Sequence, residues 1–252
     1  MEFMSHQKQN HEKVEWSKWL SKCLKTLKPP ENLTVSQFSD KHRILDSKTS
    51  AAPGPWRTST TPYLEGVMNA FNDNEVEEII FCKPTQVGGT EAMNNMLAYV
   101  IAQDPAPALV VYPTLDLAEY ASKNRIQTMV EISPKLKERY QIRDSKDLEL
   151  QFNGMYVVLS GANSPASLAS RPIRYLFLDE VDKYPPNSGK ESDPISLARE
   201  RTKTFAYNKK IFLTSTPTVR DGNVWKSFEG ADEKRYYYVP CPHLSLIHIS
   251  EP

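Results

Sequence analysis

Apolar residues recur at helical spacing near the start of the chain. Val14, Trp16, Trp19, Leu20, Cys23 and Leu27 line a helix predicted over 14–27, which Pro29 and Pro30 stop. A second helix is predicted over 35–45, and a loop rich in Ser, Ala and Pro then runs to Pro53-Gly54-Pro55-Trp56. From Thr61 onward helical and strand patterns alternate. Residues 63–71 read as a helix, and the apolar run Ile79-Ile80-Phe81-Cys82 reads as a buried strand. Residues 91–103 carry a helical stripe of Ala92, Met93, Met96, Leu97, Val100 and Ile101. A second buried strand is predicted over 108–112, with a helix over 116–130. Runs at 148–152 and 155–160 flank Asn153-Gly154, a strong hairpin signal. Strands at 174–178 and 211–213 enclose a helix at 194–205. Buried strands separated by helices predict an α/β domain, a mostly parallel sheet covered on both faces, behind an N-terminal helical lead-in.

Composition narrows the class. The 252 residues carry 31 Lys and Arg against 31 Asp and Glu, so any basic surface for nucleic acid must be local rather than a general coat. No apolar run approaches the roughly 20 residues of a membrane span, and the polar start MEFMSHQKQNHEK carries no secretory core. Cys23, Cys82 and Cys241 are spaced too widely to suggest a disulfide framework, which points to a reducing compartment.

Candidate chemistry begins where the first buried strand ends. It runs into Lys83-Pro-Thr-Gln-Val-Gly-Gly-Thr90, and a helix opens at once. Strand, small-residue loop and helix form the setting of a phosphate-binding loop, in which backbone N–H groups and the helix dipole hold phosphates and a terminal hydroxyl ligates Mg²⁺. Against G-x-x-x-x-G-K-[ST], Gly88 and Thr90 are in place. Gly89 stands where the lysine belongs, and Lys83 stands where the first glycine belongs. The same letters describe a Gly-Gly turn with Lys83 on the surface. The functional reading has Lys83 reaching across the loop from its strand end as the phosphate cation.

A second motif supports that reading. Tyr175-Leu-Phe-Leu-Asp179-Glu180 puts two acids after four apolar residues, at the strand end where open α/β sheets bind ligands. Asp179 would hold Mg²⁺ through water, and Glu180 would be the base for the attacking water. Loop and acids together predict an ATP-hydrolysing P-loop NTPase of RecA/ASCE-like fold, using ATP and Mg²⁺. A third motif, Ile211-Phe-Leu-Thr214-Ser215-Thr216-Pro217-Thr218, offers Thr214, Ser215 and Thr216 as hydroxyls that sense hydrolysis. Charge on the γ-phosphate also calls for an arginine, in cis or in trans, with Arg171, Arg199 and Arg201 as candidates. The run 199–210 holds five basic residues against one acid, a candidate DNA-phosphate contact or a solvated face.

From about Leu33 to His243 the chain resembles the ATPase domain of the large terminase subunit of tailed bacteriophages, of the lambda type. Leu33-Thr-Val-Ser-Gln-Phe-Ser-Asp-Lys-His-Arg43, Pro53-Gly-Pro-Trp-Arg-Thr58, Thr61-Pro-Tyr-Leu64, Ser164-Pro-Ala-Ser-Leu168, Ser170-Arg-Pro172, Leu178-Asp-Glu-Val-Asp182, Arg201-Thr-Lys-Thr-Phe205 and Thr214-Ser-Thr-Pro-Thr218 carry the likeness. The resemblance implies an ATP-driven motor that moves double-stranded viral DNA into a procapsid in the cytoplasm of the host. Its partners would be a small terminase subunit and a portal protein, and the packaging form a homo-oligomer. It implies backbone cradling of phosphate by Gln86, Val87, Gly88, Gly89 and Thr90, and places Trp56 and Tyr63 where related motors contact adenine. Some lambda-type relatives also resemble this chain in starting the loop with lysine, which supports Lys83.

The expected domain plan is a lead-in over 1–50 and the ATPase domain over 51–243. The last nine residues, 244–252, look like the translation of a transposon-type sequencing adapter, so the natural protein is expected to continue past His243. Family members follow with a metal-dependent nuclease domain, absent here, and often with a second cysteine where Leu244 stands. Two other readings share these motifs. A superfamily-2-like helicase would need a second RecA-like domain, and a nucleotide-binding assembly module without turnover would follow if Gly89 disables the loop.

Overall fold

A computed structural model describes residues 16–17, 19–20, 31–164, 168, 171–188 and 193–238. The chain divides into two compact units, Met1–Asn32 and Leu33–Pro252. In the first, Trp16, Ser17, Trp19 and Leu20 are helical, and the two indole rings meet edge to face at 5.6 Å. The rest of the helix expected over 14–27 lies outside the described residues, as do Cys23, Cys241 and the tail 244–252.

The second unit opens with α1 (Val35–His42), where Thr34 and Gln37 form a reciprocal capping box. The helix stops short of the predicted Leu45. Arg43 turns extended, and Ile44–Leu45 (β1) pairs antiparallel with Gly54–Pro55 (β2). Next come α2 (Tyr63–Ala70), β3 (Glu78–Cys82), α3 (Gly89–Gln103) and β4 (Ala108–Tyr112). The single helix expected over 116–130 is three pieces: α4 (Leu115–Ala121), a π-helical segment Ser122–Gln127, and α5 (Thr128–Ile132). After α6 (Pro134–Lys137), the predicted hairpin is β5 (Glu149–Phe152) and β6 (Met155–Gly161), turning at Gly154 with φ +84°. Then follow β7 (Tyr175–Asp179), α7 (Pro194–Glu200), β8 (Lys210–Ser215) and α8 (Asn223–Glu229). The helix predicted to Phe205 ends at Glu200, with a 3₁₀ turn, Lys203–Phe205, beyond it.

The six-stranded sheet has the order β3-β8-β7-β4-β6-β5, parallel except for the edge strand β5. Period-2 side chains divide between its faces. Tyr175, Phe177 and Phe212 join the helices α1 to α3 in one core, where Val35, Phe38, Leu64, Met68 and Met93 are buried. Leu176, Leu178, Ile211 and Leu213 point the other way, onto Ile195, Ala198 and Val224 of α7 and α8. That double burial explains why β7 and β8 read as continuous apolar runs rather than alternating ones. Among the described residues no helix is long and apolar enough to cross a membrane.

Candidate active site

Strand order places the three motifs side by side. Cys82 of β3 is opposite Ser215 of β8, and Thr214 is opposite Asp179 of β7. Lys83, Thr216 and Glu180, each one residue past its ladder, therefore leave the sheet at one carboxyl edge, where an open parallel sheet binds its ligands.

The loop 83–90 is built for close approach to a ligand. Gln86 has φ +60° and Gly88 φ +78°, both left-handed, and a side chain at Gly88 would meet Leu64 Cδ1 at 3.2 Å. No side chain caps α3, whose first turn starts at Gly89 and Thr90. Its acidic first-turn residue, Glu91, accepts a 2.6 Å hydrogen bond from the buried Arg43, which neutralises an anion beside the loop.

Lys83 folds back into the site. Its side chain is buried, its Nζ donates to Glu180 Oε1 at 2.9 Å, and Thr216 Oγ1 lies 3.5 Å from the same nitrogen. A Cβ at Gly89 would collide with Lys83 Cδ and Cε. The lysine stem thus occupies the place above Gly89, bringing its ammonium to the loop from the strand end.

The acids differ in environment. Asp179 is buried, and Thr90 Oγ1 donates to its Oδ2 at 3.0 Å, while Oδ1 has no hydrogen-bond partner among the described residues. Burial pushes the Asp179 carboxyl up to about 6, opposed by the Thr90 hydrogen bond and assisted by the neighbouring Glu180 charge. Burial also pushes Glu180 upward, but hydrogen bonds from Lys83 and Lys183 outweigh it and hold the group below the usual carboxylate value. Glu180 has φ +55°, a left-handed conformation that costs a non-glycine residue about 1–2 kcal/mol and turns the backbone back at the strand end. An orphaned buried carboxylate oxygen beside a threonine hydroxyl is a donor set suited to a hard divalent cation such as Mg²⁺.

The remaining sequence candidates separate. Of the third motif, Thr216 reaches Lys83, Thr214 Oγ1 donates to the Phe81 carbonyl, and Ser215 Oγ accepts from the Asp182 amide. Trp56 belongs to the core, its Nε1 donating to Thr58 Oγ1 at 3.0 Å. Tyr63 is half-buried, one residue before Leu64 and 5.8 Å from the Tyr237 ring. Arg199 pairs with Glu78 at the start of β3, the opposite end of that strand from Lys83. The Arg201 carbonyl accepts from the Ile173 amide, just before β7. Arg171 pairs with Glu149 at 2.7 Å and lies over the Tyr156 ring, near the antiparallel edge. Among the described residues, the partners of Arg171 and Arg199 are Glu149 and Glu78 rather than the loop. In the basic run, Lys203 and Lys209 pair with Glu200 and Glu77, and Lys210 donates to the Asp73 and Val76 carbonyls.

Two contributors went unassigned in the sequence. Arg43 lies far from the loop in the chain, and its partnership with Glu91 exists only once α1 and α3 pack. Asp182 sits inside the quoted Leu178–Asp182 block, where spacing of two from Glu180 gave the only hint.

This fold and edge define a P-loop nucleoside-triphosphatase domain of the ASCE type, with a third-motif strand inserted between the loop strand and the acid strand. Residues 50–249 match the family described as phage terminase large subunit gpA, ATPase domain, and the chain belongs to that family. The large terminase subunit of Enterobacteria phage P21 is 25% identical over 222 residues, covering 85% of this chain and 34% of that protein. The crystal structure of the HK97 bacteriophage large terminase superposes with a TM-score of 0.62 at 17% identity, covering 77% of this chain and 40% of that one, and supports the fold. The chain thus spans about a third of its curated relative. The family decides against the helicase reading.

Proposed function

We propose that this chain is the ATP-hydrolysing motor portion of a phage terminase large subunit, and that hydrolysis drives double-stranded viral DNA into a procapsid. The observation that carries the reading is the pair of contacts Lys83–Glu180 at 2.9 Å and Thr90–Asp179 at 3.0 Å, which join loop and acids at one sheet edge.

Backbone N–H groups of 86–90 and the N-terminus of α3 hold the phosphates. Lys83 turns its ammonium from Glu180 onto the β/γ-phosphates. Glu180 then orients the attacking water and takes its proton as the bond to the γ-phosphorus forms and the ADP oxygen leaves. Thr90 and Asp179 are the residues that would hold Mg²⁺, which when bound offsets phosphate charge. Thr216 beside Lys83 reports the change to β8. Base stacking falls to Tyr63, because Trp56 is committed to the core. An arginine for the γ-phosphate, among Arg171, Arg199 and Arg201, acts in trans from a neighbouring copy.

The same reading assigns 1–50 as lead-in, 51–243 as motor and 244–252 as a non-native tail, with a nuclease domain, a small terminase subunit and a portal protein completing the machine in the host cytoplasm. The purified chain should hydrolyse ATP only with Mg²⁺, and faster with double-stranded DNA. Lys83→Ala should weaken binding and turnover together. Glu180→Gln should bind ATP and release no phosphate; undiminished release from that variant would refute the assignment.

A further inference from the structure

Two residues beyond the acid pair, Asp182 gathers more hydrogen bonds than any role assigned so far requires. Its Oδ1 accepts from the Val224 amide at 2.8 Å, at the start of α8. Its Oδ2 accepts from the Thr218 amide at 3.0 Å and from Thr218 Oγ1 at 3.3 Å. Its own amide donates to Ser215 Oγ at 3.2 Å, the last residue of β8. One aspartate thereby ties the turn after β7 to the end of β8, to the loop after β8, and to the next helix. Asn223 Nδ2 adds a bond to the Val181 carbonyl at 2.9 Å. The packing is close: a Cβ at Gly222 would collide with the Asp182 carboxylate.

The segment Ser215–Thr218, held at one end by the Asp182 amide and at the other by its carboxylate, contains Thr216, whose hydroxyl lies 3.5 Å from Lys83 Nζ, and Lys83 in turn grips Glu180. A closed chain of contacts therefore runs from Glu180 through Lys83, Thr216 and Thr218 to Asp182, and back along the backbone through Val181. Within it Glu180 holds a left-handed conformation that its own local preferences disfavour. Charge-assisted bonds to backbone amides are the kind strong enough to fix such a turn.

We propose that Asp182 is a positioning residue for hydrolysis: it holds the turn after β7 and the loop after β8 in fixed register, so that Glu180 and Thr216 meet Lys83 together, and it carries the change at that site into α8. The proposal rests on the reading of Lys83 and Glu180 given above. Asp182 touches neither nucleotide nor water in this scheme. Removing it should loosen the geometry of turnover and leave the phosphate loop intact.

The test is a double-mutant cycle on the full chain. Asp182→Asn keeps the shape but offers one acceptor oxygen to two sets of donors, and Gly222→Ala pushes a methyl group against the same carboxylate. Each should lower kcat about 10- to 100-fold while the dissociation constant of a fluorescent ATP analogue changes less than about threefold. With Asp182→Ala as background, Gly222→Ala should have a clearly smaller effect than in the wild type, because only the contact with the Val219 carbonyl at 3.0 Å remains. A purely architectural role would lower kcat only through the folded fraction, in step with the melting temperature. Additive effects, or an unchanged kcat in Asp182→Asn, would overturn the proposal. If an Asp182 variant does not fold, Gly222→Ala and Thr218→Val carry the measurement, and unchanged kcat in both is the negative result. Wild-type protein that neither binds nor hydrolyses ATP would instead sink the underlying reading of the site.

Discussion

The stem of Lys83 lies where a side chain at Gly89 would have to be. The two departures from the usual phosphate-loop pattern are thus one arrangement. In the proposed reading, glycine at the helix start leaves room for the lysine stem, and the cation comes from the strand end. Gly89→Ala should accordingly displace Lys83 and weaken ATP-analogue binding about 10-fold or more, in a change of one methyl group. Equilibrium titration of the variant checks this.

Asp179 makes stability depend on pH. Its carboxyl sits at about 6 in the folded chain against an ordinary 3.8, so the folded state holds the proton more tightly than the unfolded state does. Its favourable contribution is full below about pH 4 and is lost as pH rises through about 6, a change on the order of 3 kcal/mol at most. Asp179→Asn should remove that slope, gaining stability relative to wild type at pH 7.5 compared with pH 4.5. Denaturant unfolding at both values measures it; parallel pH profiles would contradict it.

Arg43 and Glu91 should behave as a buried pair. Arg43→Ala leaves the first-turn acid beside the phosphate loop uncompensated and should cost about 3 kcal/mol of unfolding free energy. Glu91→Gln strands the buried Arg43 charge, so it should cost a comparable amount, and the double variant less than the sum.

Trp56 and Tyr63 should separate by phenotype. Trp56→Ala opens the core and should lower stability by about 3–5 kcal/mol. Tyr63→Ala removes a half-buried ring packed on the core, so it should lower the melting temperature less than Trp56→Ala and weaken ATP by about 1–2 kcal/mol while sparing pyrophosphate. Parallel melting curves and competition titrations distinguish the two.

The sheet was legible in the sequence because β4, β7 and β8 are buried on both faces and so read as apolar runs, while the partly buried edge strand β3 still carries the apolar Ile79-Ile80-Phe81. Loop and acids were legible because each follows such a run directly. Helix ends were read less well: Arg43 leaves α1 to reach Glu91, and the predicted helix over 116–130 contains a π segment with no residue-type signature. The placement of Trp56 in the core and of Arg199 beside Glu78 depends on tertiary packing, which spacing alone does not encode. Asp182 shows the same limit, since its partners Thr218 and Val224 lie beyond the next strand.

The central claim is that Lys83 supplies the cation that the loop lacks at residue 89. Lys83→Gly together with Gly89→Lys converts the segment to G-x-x-x-x-G-K-T and moves the ammonium from one approach to the other. Each single substitution should lower kcat/KM for ATP about 100-fold or more, and the exchange should return it to within about 10-fold of wild type. Steady-state phosphate release from the four proteins is the measurement. Full activity in Lys83→Gly alone, or no recovery in a folded double variant, would contradict the account.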